Sequence, residues 1–408
     1  MSATCRFCAA KLDLTLVDLG ATPLANSYLA GPEAIAAERR FPLHVMVCTD
    51  CWLAQTTETV PPDAIFDHDY AYLSSYSAGW VAHALTYAQS MAARFSLGQG
   101  GQVVEIASND GYLLQHFNDM GIPVLGIEPS GYAAELAIDK GIPTRVEFFG
   151  EASAKALVAE GITADLMAAN NVLAHVPDIR DFATGFAVLL KPQGVATFEF
   201  PHLGNLLALG QFDTIYHEHY SYLSLTFVER LLGEVGLAVF DIEKLPTHGG
   251  SLRVFSCRPG AYAETPAVQA LRDDETAQGL GRTEGYADFS DRVADITEGL
   301  RTFLNTARAE GKSVAGYGAA AKGNTFLNVA GIGADLIGFV VDRNPEKQGT
   351  LLPGSHIPVC DPSEIAARKP DYLVILPWNI RDEVMDQQAG IRDWGGQFVT
   401  AVPKLTIA

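Results

Sequence analysis

The sequence predicts an α/β chain: two open, Rossmann-like sheets preceded by a small metal-stapled module. Three observations carry this. Gln102-Val-Val-Glu-Ile-Ala-Ser-Asn-Asp-Gly111 is an apolar strand running into a tight turn, followed by a helix at 112–120 and a second strand at 124–127 that ends in Glu128. The same strand–turn–helix order returns at Lys312–Asn324, with Ile337–Val341 as the next strand. Near the start, Cys5-Arg-Phe-Cys8 and Cys48-Thr-Asp-Cys51 form two Cys-x-x-Cys pairs. A chain of 408 residues exceeds one hydrophobic core. It divides into a module at 1–75, a first sheet domain at 76–260, a helical connector at 261–300 and a second sheet domain at 301–408.

Composition narrows the function. A net charge of −20 argues against a partner bound through its phosphate backbone, so no nucleic acid is expected. No run of about 18 apolar residues occurs, so no membrane span is expected. A basic region followed by an apolar stretch is missing at the N-terminus, which points to a cytoplasmic protein. In that compartment six cysteines are thiols or metal ligands rather than disulfides.

Taken in order, the paired cysteines suit a closed tetrahedral zinc site: Cys5, Cys8, Cys48 and Cys51 supply four thiolates and leave no open position, so the ion is structural. A turn at Ala21-Thr-Pro and an apolar strand, Leu43–Val47, fill the interval. Tyr70, Tyr72 and Tyr76 cluster in the segment that follows, and Trp80–Phe95 reads as an amphipathic, Ala-rich helix. The turn after the first parallel strand lacks Gly-x-Gly-x-x-Gly, with Ala107 and Asn109 where glycines would admit a pyrophosphate. Glu105 lies inside the strand, and Glu128 ends the next one, where a carboxylate takes the hydroxyls of a ribose. A cofactor with ribose and adenine but no phosphate fits, namely S-adenosylmethionine. Asp165–Val176 continues the sheet and places Asn170, Asn171 and His175 at its ligand edge. Leu190–Phe200 gives a turn and fifth strand, and two further strands flank His248-Gly-Gly.

Between them lies Ile215-Tyr-His-Glu-His-Tyr-Ser-Tyr222, which packs two histidines, a carboxylate and three tyrosines into eight residues. Such groups make poor core. A histidine is the usual general base near neutral pH, and a tyrosine hydroxyl can stabilise an oxyanion. Beyond it, Ala261–Gln278 reads as a polar connector and Tyr286–Ala309 as a long helix. The Gly316-Tyr-Gly-Ala-Ala-Ala-Lys322 turn then opens a helix whose N–H groups and lysine attract phosphate.

The paired cysteines, Glu105-x-x-Ser108-Asn109-Asp-Gly111, Asn170-Asn171-Val-Leu-Ala-His175-Val-Pro, Tyr216-His-Glu218-His219 and Gly316-Tyr317-Gly-Ala-Ala-Ala-Lys322-Gly-Asn324 occur in this order over nearly the whole chain. Together they resemble the nucleotide-sugar C-methyltransferases of deoxysugar biosynthesis, the tetronitrose and mycarose branching enzymes. The resemblance implies a monomer with a zinc module, an S-adenosylmethionine-dependent Rossmann-like methyltransferase domain and a C-terminal sugar-nucleotide domain. It implies that Glu105, Ala107, Ser108, Asn109, Gly111, Glu128, Asn170 and Asn171 serve the cofactor. Tyr317, Lys322 and Asn324, with Asp342, Lys347 and Asn379, would then hold a thymidine diphosphate sugar.

Methylating carbon needs a carbon nucleophile, and a ketone at C4 of the sugar acidifies the C3 proton. His219 is expected to remove that proton, Tyr216 with His175 to stabilise the enolate oxygen, Glu218 to orient or polarise a histidine, and Tyr70 to cover the sugar. An O- or N-methyltransferase on a nucleotide-linked sugar, or a non-catalytic zinc-containing binding protein, is the alternative. A nicotinamide-dependent oxidoreductase is disfavoured by the missing glycine fingerprint.

Overall fold

The computed structural model describes residues 3–57, 60–61 and 73–408. Tyr70 and Tyr72 lie outside the described residues. The chain forms three sheets. The first is antiparallel and spans Leu14–Thr22, Phe41–Val47 and Ala54–Thr56, with the two-residue strand Ser221–Tyr222 joining it from far along the chain. The fourth strand pairs Ala54 with Tyr222 and Gln55 with Ser221. The end of the Tyr-His-Glu-His segment is thereby stitched to the cysteine module. Ala21 and Thr22, expected in a turn, belong to the first strand and pair with Pro42 and Phe41. Pro23 ends that strand because it has no N–H to give the ladder.

Helix Ala78–Arg94 follows. Ser77 caps it by accepting the Trp80 N–H at 3.2 Å. Ala84, Tyr87, Ala88 and Met91 form its buried face at helical spacing. The second sheet has seven strands, in spatial order Ala238–Leu245, Ser251–Cys257, Leu190–Pro201, Ala164–Asn170, Val103–Ile106, Val124–Ile127 and Thr144–Arg145. The strands from Leu190–Pro201 to Thr144–Arg145 are parallel neighbours, and Ser251–Cys257 runs antiparallel to Leu190–Pro201. Because the order reverses beside Val103–Ile106, a crevice opens at the C-terminal ends of that strand and Ala164–Asn170.

The stretch read as a polar connector forms helix Pro266–Gln278, whose Val268 and Leu271 are buried in the same core as the second sheet. Buried Glu275 locks it down. Its carboxylate accepts from His202 Nε2 at 2.8 Å, from the Leu225 and Thr226 N–H groups at 2.6 and 2.8 Å, and from the Thr226 hydroxyl. Glu275→Ala strands those donors in the interior and should lower the unfolding free energy by about 3–5 kcal/mol. A urea titration reads this, and a midpoint equal to that of the unaltered chain would contradict it.

The third sheet runs Val359–Cys360, Val340–Val341, Val314–Tyr317, Tyr372–Ile375, Gln397–Thr400, Thr406–Ile407, all parallel except the last pair. This is the doubly wound order, with its own crevice beside Val314–Tyr317. One buried cluster joins Cys5, Phe7, Cys48 and Cys51 to Phe227 and the second sheet. Another joins Leu16, Leu43 and Val45 to Leu300, Leu304 and Phe326 of the third sheet's surroundings. The cysteine module is thus wedged against both. Among the described residues, no helix is long and apolar enough to cross a membrane.

Candidate active site

The two crevices face one another across a cleft of about 420 Å³. On the side of the second sheet its floor is the turn after Val103–Ile106. Ala107 and Asn109 adopt left-handed backbone (φ 56° and 50°), which folds the turn tightly without glycine at either position. Glu128, at the tip of the next strand, accepts the Asn109 N–H and the Ser130 N–H at 2.8 Å each. These bonds hold its carboxylate at the cleft wall. Ala107, Asn109, Glu128, Asn170 and Asn171 all line the cleft, beside an apolar face that includes Ile127, Phe149 and Phe182. Glu105, Ser108 and Gly111 stand behind that wall. Burial drives the Glu105 carboxyl well above the usual range, while the Tyr112 hydroxyl opposes the shift. Ser108 packs so closely on Gly126 that a Cβ there would lie 2.4 Å from its hydroxyl.

A methionyl adenosine cofactor fits this half on two counts. Glu128 and the apolar slot match a ribose and an adenine. The side-chain oxygens of Asn170 and Asn171 are buried acceptors with no protein donor, as a site for an N–H-bearing group requires.

The Tyr-His-Glu-His segment supplies Tyr216, Glu218 and His219 to the cleft, and the short helix Leu173–His175 after the strand supplies His175. The His219 and Tyr216 rings lie 4.0 Å apart, and those of His219 and His175 4.6 Å. His219 Nδ1 donates to the Thr214 carbonyl at 2.7 Å. That bond fixes the tautomer and leaves Nε2 with its lone pair. Burial first, and then the neighbouring His175, hold His219 well below the ordinary histidine value. Burial likewise brings His175 down to about 4. Both are neutral bases at physiological pH.

Glu218, expected to orient or polarise a histidine, meets His175 through a backbone hydrogen bond. The group that orients His219 is the Thr214 carbonyl, because successive side chains on this segment diverge. The Glu218 carboxylate instead accepts from Asn26 Nδ2 at 2.6 Å. His217 turns away altogether, toward the Phe41 carbonyl at 3.1 Å.

The third sheet contributes Lys322, Lys347 and Asn379 to the cleft, with the Ala320-Ala321 helix start. Lys322 donates to Asn379 Oδ1 at 3.1 Å and lies 5.2 Å from the Trp378 ring centroid. Trp378 in turn donates to Asp213 at 2.7 Å, and burial lifts the Asp213 carboxyl to about 6. Tyr317, Asn324 and Asp342 do not line the cleft and serve other partners. Tyr317 bonds Gln387 at 3.1 Å, Asn324 bonds the Ala25 carbonyl at 2.6 Å, and Asp342 accepts the Ala319 N–H at 2.7 Å. The last two shape the turn that presents the lysines.

His248 lines the cleft too and was not singled out as a site residue from sequence. Its backbone is left-handed (φ 53°), and its Nε2 accepts from Asn171 Nδ2 at 3.2 Å. Burial holds it at about 4, so it stays an acceptor. A histidine beside Gly-Gly was the available signal. Gly249 is required there, since a Cβ would lie 2.4 Å from Trp378.

In the N-terminal module the four cysteine sulfurs lie within 4.8 Å of one another. The Cys5–Cys51 and Cys8–Cys48 pairs are 3.6 and 3.5 Å apart. Four thiolates about 2.3 Å from zinc span edges of about 3.8 Å, so the cluster fits a tetrahedral ion.

Three family models match in order. Residues 5–66 match one described as "Putative zinc binding domain", residues 81–242 a methyltransferase domain, and residues 246–403 a C-methyltransferase C-terminal domain. The C-methyltransferase NovU of Streptomyces niveus is 36% identical over 402 residues, covering 98% of this chain and 95% of that protein. Solved structures that align include magnesium protoporphyrin IX methyltransferase (ChlM) of Synechocystis PCC 6803, at 17% identity and a TM-score of 0.36 over 44% of this chain and 84% of that one. Another is the possible histamine N-methyltransferase TM1293 of Thermotoga maritima, at 16% identity and a TM-score of 0.37 over 48% of this chain and 100% of that one. Fold and site together define an S-adenosylmethionine-dependent methyltransferase with an N-terminal zinc-binding module. More particularly, the chain belongs to the C-methyltransferase family that includes NovU.

Proposed function

We propose that the protein methylates C3 of a thymidine diphosphate 4-keto-deoxysugar through an enolate, with His219 as base. The observation that carries this is His219 itself: a half-buried, neutral imidazole whose Nδ1 is committed to Thr214 and whose Nε2 is left basic. It stands against Tyr216, between a cofactor wall and a lysine-bearing wall. His219 Nε2 takes the C3 proton, and the C–H electron pair moves into the C3–C4 bond as the carbonyl electrons move onto O4. Tyr216 donates to that oxygen, with His175 beside it. S-Adenosylmethionine supplies the electrophile: the enolate carbon takes its methyl, and the S–C electron pair stays with sulfur. Asn170, Asn171 and Glu128 hold the cofactor, and Lys322, Lys347 and Asn379 hold the diphosphate. Glu218, whose carboxylate accepts from Asn26, lines the same cleft beside them. Zinc takes no part in the chemistry.

The test is incubation of candidate thymidine diphosphate 4-keto sugars with cofactor carrying a 13C methyl. NMR should place the label on carbon at C3, and a label on oxygen or nitrogen would overturn the reading. The site also dictates a pH profile. His219 is depressed below about 6.5, its unperturbed value, so its neutral, basic form is already complete well above that pH. At saturating substrate the exchange of the C3 proton should stay flat from pH 8 to 6 and fall only at more acid values. A falling limb centred on the ordinary histidine pKa would contradict a base held below it.

A further inference from the structure

We infer that Gln55 is an outer-sphere ligand of the zinc ion: its side-chain amide holds the Cys5 thiolate by an N–H···S bond and ties the metal site to the strand on which the Tyr-His-Glu-His segment ends. The inference stands on the zinc site and is independent of the ketosugar reading.

Gln55 lies in the strand Ala54–Thr56, is 1% exposed, and uses both ends of its amide. Its Oε1 accepts the Arg6 N–H at 2.9 Å, and its Nε2 donates to Cys5 Sγ at 3.1 Å. The first bond dictates the second. A backbone N–H can only donate, so the amide oxygen faces Arg6 and the NH2 group is left to face the sulfur. Sulfur accepts weakly as a thiol and far better as a thiolate, so a buried amide aimed at Cys5 matches the metal-bound form of that cysteine. Four thiolates outweigh the charge of one Zn2+, which makes the loaded site an anion, and Cys5, Cys48 and Cys51 are all buried. An anion out of water needs donors aimed at it. Gln55 supplies one, and Arg6, next to Cys5 in the chain, supplies a positive charge. Gln55 also reaches the Tyr-His-Glu-His segment, through its backbone. It pairs with Met46 on one side and with Ser221 on the other. Ser221 comes two positions after His219. Between them, Tyr220 donates its N–H to the carbonyl of Ala174, the neighbour of His175, at 2.8 Å. An amide locked on Cys5 therefore fixes Gln55 in the ladder that places this segment.

The experiment uses the full chain loaded with Zn2+ or with Co2+. It compares Gln55→Met and Gln55→Leu, which remove the amide and keep an apolar body of similar size, with Thr56→Val. The last removes a buried hydroxyl that has no protein partner, one position along the same strand. Loss of an outer-sphere partner costs about 10–100-fold in metal affinity, so competition with a chromogenic chelator should show zinc held about tenfold or more weakly in both Gln55 variants and within about twofold in Thr56→Val. A donor on a thiolate lowers the energy of its lone pairs. Removing it should move the sulfur-to-cobalt charge-transfer band to longer wavelength in both Gln55 variants and leave it in place in Thr56→Val. An unmoved band in the Gln55 variants overturns the inference even where zinc is lost, because a residue that only packs the strand weakens the module without touching the thiolate. Unchanged zinc affinity overturns it too, as does an equal band shift in Thr56→Val, which would make the strand and not the amide the cause. Should the Gln55 variants not fold, the unaltered chain carries the test. Exchange of zinc for cadmium should shift the side-chain N–H signals of one 15N-labelled glutamine, and signals that all stay put would overturn the assignment. Methyl transfer enters none of these readouts, so their failure leaves the proposed sugar chemistry where it stands.

Discussion

His219→Asn should abolish exchange of the C3 proton with solvent and, with it, methyl transfer. Asparagine can keep a donor toward the Thr214 carbonyl, so the segment stays in place. It offers no basic nitrogen at neutral pH. General-base catalysis contributes about 10²–10⁴-fold, and exchange and transfer should fall together by at least the lower figure. Affinity for S-adenosylhomocysteine should hold, because the contacts of His219 are with Thr214, Tyr216 and His175 and not with Glu128, Asn170 or Asn171. Tyr216→Phe keeps the ring that packs on His219 and removes only the hydroxyl. It should cost about 10²-fold in the same exchange assay, the scale of one lost oxyanion donor. Exchange that persists undiminished in His219→Asn would remove it as the base.

Zinc removal should be as damaging, though by a different route. Structural zinc contributes about 10–16 kcal/mol of apparent folding energy in small cysteine modules. Here the module is also joined to the Tyr-His-Glu-His segment. Arg6, between two zinc ligands, donates to the Thr56 carbonyl at 2.7 Å and to the Tyr220 carbonyl. Thr56 N–H donates to that Tyr220 carbonyl at 3.1 Å, and Ser221–Tyr222 completes the module's sheet. Chelation, or Cys51→Ser, should therefore lower the thermal midpoint and abolish activity, and added zinc should restore the chelated protein. Full activity with an unshifted midpoint after the metal is stripped would show that the cysteines carry no structural ion.

What the sequence made legible was local. The apolar runs at Val103–Ile106 and Val314–Tyr317, each entering a turn and helix, announce their sheets because strand period and turn chemistry reside in a few consecutive residues. The cysteine spacing and the Tyr-His-Glu-His cluster are visible for the same reason. The Asn26 partner of the Glu218 carboxylate lies far away in the chain. Adjacent side chains seldom face one another, and the partner of His219 is a backbone carbonyl, which no residue pattern announces. Tyr317 and Asn324 flank a turn that looks like a ligand loop, but their side chains bond Gln387 and the Ala25 carbonyl. The Asn26 partner of Glu218 was out of reach because the two lie 192 positions apart. Such contacts are set by how the three sheets pack, and one sequence read locally does not contain that packing.

The most direct measurement of the central claim uses the unaltered enzyme. A thymidine diphosphate 4-keto sugar is held in D2O with S-adenosylhomocysteine in place of the methyl donor, and the C3 proton signal is followed by NMR. Loss of that signal at an enzyme-dependent rate, with no methylated product, is the predicted result. A signal that persists while the same preparation methylates the sugar with S-adenosylmethionine would show that the carbon is never deprotonated, and the enolate route would fall.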